Sequence, residues 1–152
     1  MNELIQASRI GDLQQIKELL ATGENINGRD EKDYTALTIA TYNGQLAATE
    51  LLIKEGADIN TQDSGGNTAL MGVAFKGYLE LAELLLKNGA DINQQHGNGG
   101  TALIFATMFG RNEMIKLLLN HGADKMIQDT SGLIALDHAG KQNNMEAVNI
   151  LT

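Results

Sequence analysis

Cysteine is absent from the chain, so neither disulfides nor thiolate chemistry contributes to its stability or function. Basic residues are in the minority: 11 Lys and Arg stand against 19 Asp and Glu, for a net charge of −8. A general affinity for nucleic acid needs a basic footprint, and anionic membrane surfaces need one too; both partners are excluded on this ground. No apolar run approaches the length of a membrane-spanning helix. The amino terminus, MNELIQASRIGDLQQ, lacks the basic start and apolar stretch of a signal peptide. A cytoplasmic location is therefore expected, with a periplasmic or secreted one only if a leader has been removed. Tryptophan and proline are missing, and the aromatic set is three Phe and three Tyr.

What remains is the composition of a soluble, folded chain. Hydrophobic residues make up 43% and charged residues 20% of 152 residues, enough for one cooperative unit with a core. The organisation is periodic. Thr-Ala-Leu occurs at residues 35–37, 68–70 and 101–103, and the next step lands on Ile134-Ala135-Leu136. Gly-Ala-Asp-Ile-Asn starts at Gly56 and Gly89, with weaker copies at Gly23 and Gly122. Gly11, Gly44, Gly77 and Gly110 keep the same period, and Asn143 stands where the next would fall. Three markers in one 33-residue register identify a repeat array.

Each period reads as helix, turn, helix, loop. The threonine is an N-cap whose hydroxyl accepts an early amide hydrogen, and the marker glycine allows a left-handed C-cap. The second helix carries the apolar run, as in Leu79, Leu81, Ala82, Leu84, Leu85 and Leu86. A stripe that wide fits a helix packed on its own partner and on both neighbouring repeats. Second helices are predicted near residues 12–21, 45–54, 78–87, 111–120 and 144–151.

A 33-residue helix-turn-helix unit with a turn-rich loop resembles the ankyrin-repeat family, and the resemblance covers essentially the whole chain. The family's Thr-Pro-Leu-His becomes Thr-Ala-Leu followed by Thr38, Met71, Ile104 or, after Ile134, by Asp137. Alanine is acceptable at a first helical position. Loss of the histidine removes a hydrogen bond to the threonine, so somewhat looser helix starts are expected. The Thr-Ala-Leu variant and the lack of proline are similar to bacterial members. The resemblance implies an all-α solenoid of five helix-turn-helix units joined by β-turn loops. It forms one domain, 1–152: a capping unit 1–29, repeats 30–62, 63–95 and 96–128, and a C-terminal capping repeat 129–152.

No catalytic constellation is visible. His96, His121 and His138 show no metal-ligand spacing, and His121 closes a second helix, where a cation suits the helix dipole. Gly97-Asn98-Gly99-Gly100 lacks the strand before it and the Lys-Ser/Thr after it that a phosphate loop requires. No pair of carboxylates is marked out for acid–base work. The expectation is a protein that is not an enzyme and needs no cofactor and no metal.

Partners of the resembling family contact the loop tips and the outer side of the first helices. Carried over residue by residue, those positions are Tyr34, Tyr42, Phe75, Lys76, Met108 and Phe109, with Glu31 and Lys32 at a loop tip. Four of the six aromatics fall there, and an aligned exposed set favours a protein interface over a simple shield. Tyr42, Phe75 and Met108 share one repeat position and are expected in a row, with Phe109 beside Met108. Glu83, on a second helix, is expected on the solvent face. The function implied is a non-catalytic protein-interaction module, a scaffold, inhibitor or stabiliser that is monomeric when free. The alternative is a structural protein that uses the same face to form a homo-oligomer.

Overall fold

The computed structural model describes residues 2–152; Met1, the first residue of the expected capping unit, lies outside the described residues. The described residues form ten helices in five pairs: α1 (Glu3–Ile10) and α2 (Leu13–Ala21), α3 (Ala36–Tyr42) and α4 (Leu46–Lys54), α5 (Ala69–Lys76) and α6 (Leu79–Lys87), α7 (Ala102–Met108) and α8 (Asn112–Asn120), and α9 (Ala135–Lys141) and α10 (Met145–Leu151). No strand occurs among the described residues. Odd-numbered helices stack on one another in one layer and even-numbered helices in a second, each pair touching chiefly its neighbours. The architecture is the all-α solenoid that the 33-residue period implies.

The caps show why the helices start where they do. Thr35, Thr68 and Thr101 accept the amide hydrogens of Thr38, Met71 and Ile104 at 3.2, 3.3 and 3.2 Å. The reciprocal bond, which the missing histidine was expected to weaken, is largely rebuilt by other atoms. Thr38 Oγ1 accepts from the Thr35 amide at 2.8 Å, Met71 Sδ from the Thr68 amide at 3.4 Å, and Asp137 Oδ2 from the Ile134 amide at 3.0 Å. Ile104 has no acceptor to offer its helix. First helices end on a left-handed residue, Gly77 at φ 78° in the central repeat and Asn143 at φ 55° in the last.

The core runs along the seam between the layers. Leu52, Leu85 and Leu118, 33 residues apart on successive second helices, are fully buried, and Ile16, one turn earlier on its helix, takes this part in α2. Leu37, Leu70 and Leu103 of the Thr-Ala-Leu segments face them from the first layer, each 1–2% exposed. Of the wide stripe on α6, Leu81, Ala82 and Leu85 are buried, Leu84 and Leu86 are half-buried, and Leu79 at the helix start is exposed. The last repeat is less polar outside than expected for a cap. Met145 is 62% exposed, while Asn144 is used internally, accepting from the Ala147 amide and bonding Asn112.

Polar side chains stitch one repeat to the next. Asn27, Asn60 and Asn93 accept the amide hydrogens of Asp58, Asp91 and Asp124 in the following repeat at 2.9, 2.7 and 2.9 Å. In the hairpin loops Asp30, Asp63 and Asp129 each accept two backbone amides through one oxygen. His96 occupies this place in the third hairpin, where Nδ1 accepts the Asn98 amide at 3.0 Å and Asn98 Oδ1 takes over the Gly100 amide. The hairpins pair edge to edge, Gly97 donating to the Gly65 carbonyl at 3.1 Å and Thr130 to that of Asn98 at 2.9 Å. His138 bridges the last hairpin to α9, with Nε2 2.8 Å from Asp129 Oδ2. The Leu133 amide and then His138 hold the Asp129 carboxyl below its ordinary range.

Two outcomes follow from this architecture. Leu85→Ala should lower stability by roughly 2–5 kcal/mol, because its site is packed from both neighbouring repeats. Leu151→Ala should cost less, since a terminal helix frays at lower free energy; equal losses in urea melts would argue against nearest-neighbour stacking. Asp129 supplies a pH signature. Its carboxyl is depressed on folding, so its stabilisation is complete above the ordinary carboxylate range, near pH 4, and is lost as pH falls through the folded value. Asp129→Ala should cost about 1–3 kcal/mol at pH 7 through the lost charged hydrogen bonds. The gap from wild type should narrow in melts at acid pH, where the wild-type carboxylate is itself protonated.

Candidate functional site

A groove of about 570 Å³ opens where the hairpins meet the first-helix layer. Its floor and walls come from successive repeats at one helical level: Ile39 on α3, Gly72 on α5 and Phe105 on α7. One turn later stand Tyr42, Phe75 and Phe109. The i, i+4 step places Thr38 with Tyr42, Met71 with Phe75 and Phe105 with Phe109 on one side of each helix.

The aromatics form a continuous row. The Tyr42 and Phe75 rings are stacked, 6.3 Å between centroids and 10° between planes. Phe75 meets Phe109 edge to face at 4.4 Å and 78°. The third member is thus Phe109 rather than Met108, the residue that shares the repeat position of Tyr42 and Phe75. Helix α7 ends at Met108, and Phe109, at the C-cap, turns its ring back onto Phe75. Met108 is 37% exposed, beside the row rather than in it, and its carbonyl accepts from Gln142 Nε2 at 2.6 Å.

The remaining expected residues divide. Tyr42 and Phe109 are 44% and 46% exposed, the two most open aromatic positions. Phe75 is half-buried because a ring lies on either side of it, and Tyr34 is half-buried because it closes the first hairpin and lines the groove. Lys76 is also half-buried, with its ammonium 4.6 Å from the centre of the Tyr42 ring, a cation–π contact. Glu31 and Lys32 are exposed at the hairpin tip and do not line the groove. Glu83 is not the free solvent-face residue expected. It is half-buried and reaches the next repeat, 3.4 Å from His121 Nε2.

Sequence reading missed Phe105 and Gly72. Both lie where the repeat frame has an ordinary structural residue, Ile39 in the second period. The signal was present in the i, i+4 spacing of Phe105 and Phe109. Phe105 also packs edge-on against His96, with ring centroids 5.0 Å apart. Asp63, on the hairpin, is the one carboxylate among the described residues lining the groove. Its charge is dispersed over the Gly65 and Asn67 amides and the Asn67 side chain.

The groove has no reactive constellation. Among the described residues no three His, Asp or Glu side chains converge as metal ligands, and no helix is long and apolar enough to cross a membrane. On the opposite layer the Glu113 hydrogen bond holds the Lys116 ammonium above its ordinary range, with Glu146 of the next pair adding to the effect. This is a surface ion cluster that ties α8 to α10.

No curated protein matches the chain. The sequence profile for ankyrin repeats, three copies, matches residues 4–96 and again 70–152, so the two matches together span nearly every residue described above. Ankyrin repeats are generally protein–protein interaction modules and typically lack catalysis. Period, capped helix pairs, paired hairpins and profile agree: the chain belongs to the ankyrin-repeat family.

Proposed function

We propose that the protein docks one partner protein on the groove between its hairpins and first helices, acting by occupancy rather than by chemistry. The observation that carries this reading is the Tyr42–Phe75–Phe109 row, an aromatic surface left partly open along a groove in a chain whose core is already complete. Aromatic anchors on a rigid frame are the usual energetic centre of an interface, because they exclude water over a large area at little cost in side-chain entropy. Glu31, Lys32 and Met108 belong to the rim in this reading.

The test is affinity capture from the native cell, with wild-type protein compared with single alanine variants. Tyr42→Ala and Phe109→Ala should change stability by no more than about 1 kcal/mol, since both residues are nearly half exposed and each makes a single ring–ring contact. Phe75→Ala should cost about 1–2 kcal/mol, because it removes two ring contacts. At least one of the three should weaken partner binding by more than about 1 kcal/mol. Glu80→Ala, exposed on the far layer, is the control, in preference to Glu83 with its inter-repeat contact. Normal folding with undiminished capture by all three variants would move the binding surface elsewhere. A mass in solution that rises with concentration in wild type but not in Phe109→Ala would instead favour self-association.

A further inference from the structure

Gly72 sits inside α5 with an ordinary helical backbone, so the fold itself makes no demand for glycine there. A mid-helix glycine is destabilising relative to alanine, because its backbone loses more freedom on folding. Nor does crowding explain it: a Cβ built at Gly72 would meet only Tyr42 Cδ2, at 3.4 Å, an ordinary contact. The neighbouring repeats carry Ile39 and Phe105 at this position. The central repeat therefore lacks the side chain that its neighbours contribute to the groove floor, leaving a gap at Gly72 in a groove lined by Ile39, Phe105 and the aromatic row, with the edge of the Tyr42 ring beside it.

One base, Arg9, and one acid, Asp63, line the groove, an even balance in a molecule that is acidic as a whole, and two further cations stand beside it. Of 19 acids in the chain, only Asp63 lines the groove, and its oxygens are engaged by its own hairpin. Arg9 of α1 lines one end. Lys76 of α5 stands over Tyr42, and Arg111 donates through Nε to the Phe75 carbonyl at 3.0 Å, which fixes a second guanidinium beside the row. Among the described residues none of these three cations has a carboxylate within ion-pair distance, although acids outnumber bases in the chain. Net charge of −8 would repel an acidic partner at long range, but that field is screened within about 8–10 Å at physiological salt, and contact is decided locally.

Building on the docking function above, we propose that the groove receives an acidic segment of the partner, which seats one bulky apolar side chain in the gap at Gly72 and sets carboxylates against Arg9 and Lys76. The two cations lie on alternate repeats with Tyr42 between them, and Lys76 shares α5 with Gly72, so one carboxylate belongs beside the apolar anchor and the other lies further along the groove toward α1.

The experiment measures fluorescence anisotropy with three labelled peptides: Glu-Glu-Leu-Phe-Glu-Glu, its Lys-for-Glu counterpart, and Glu-Glu-Ser-Ser-Glu-Glu. The first should bind at least about tenfold tighter than either other, with affinity falling as salt rises. Arg9→Glu with Lys76→Glu should reverse the preference between acidic and basic peptides. Gly72→Ile, which copies the second repeat, should abolish binding of the acidic peptide while circular dichroism is unchanged. Gly72→Ala should raise the melting temperature yet weaken binding, which keeps the test intact if isoleucine disturbs the helix. Equal or tighter binding of the basic peptide, equal binding of the serine peptide, full binding by the folded Gly72 variants, or no binding of any peptide would each overturn the proposal. A native partner whose capture depends on Phe109, found alongside peptides that all fail, would remove this inference and leave the docking function standing.

Discussion

Everything in this molecule depends on the inability of one helix pair to bury its own apolar surface. A pair such as α5–α6 has two apolar sides and can cover neither alone. Burial is completed only when Leu52, Leu85 and Leu118 lie under successive neighbours. The resulting constraint is one of spacing. Each unit must present the same surface at the same rise, and the 33-residue period records that requirement in the chain. Once spacing is met, the polar stitches from Asn27, Asn60 and Asn93 fall on equivalent amides of the next unit without any further design.

The same constraint explains where the chain departs from its own pattern. Positions that set spacing are nearly invariant in chemistry from unit to unit, whereas positions that fill a local hydrogen-bonding need are exchanged freely. An N-cap amide is met by a hydroxyl, a thioether sulfur or a carboxylate. A hairpin amide is met by a carboxylate or by an imidazole nitrogen. What the fold conserves internally is an acceptor at a place, and several side chains can supply one. This is why loss of the usual histidine leaves most helix starts fully bonded.

The fold was almost wholly legible in the sequence, because periodic burial writes itself as periodic leucine, glycine and threonine. The second helices begin within one residue of the predicted positions, from Leu13 to Met145. The candidate site was legible only in part. Tyr42 and Phe75 could be placed by register, since both lie well inside the repeat frame. Phe109 could not, because a residue at a helix C-cap escapes the helical register that orients its neighbours, and its ring direction is set by contact with Phe75. Gly72 escaped for a different reason. A glycine amid marker glycines reads as one more structural residue until the neighbouring Ile39 and Phe105 show what is missing. Glu83 and His121 illustrate the same blindness across repeats, as their contact joins residues 38 apart and has no local signature.

The asparagine stitches have a consequence for how such a chain can change. Each links a unit only to its successor, and the acceptor recurs at Asn27, Asn60 and Asn93, giving way to Met126 only before the last pair, so any of the three units that carry it can precede another internal unit and find its bond waiting. Gain or loss of a whole unit then conserves the grammar of the structure while altering its vocabulary. The framework is indifferent to how many units there are, but the groove is not, because the gap at Gly72 and its walls at Ile39 and Phe105 come from three different units in one order. Stability is thus inherited unit by unit, and recognition only by the sequence of units, which makes the protein's specificity a property of arrangement that no single repeat possesses.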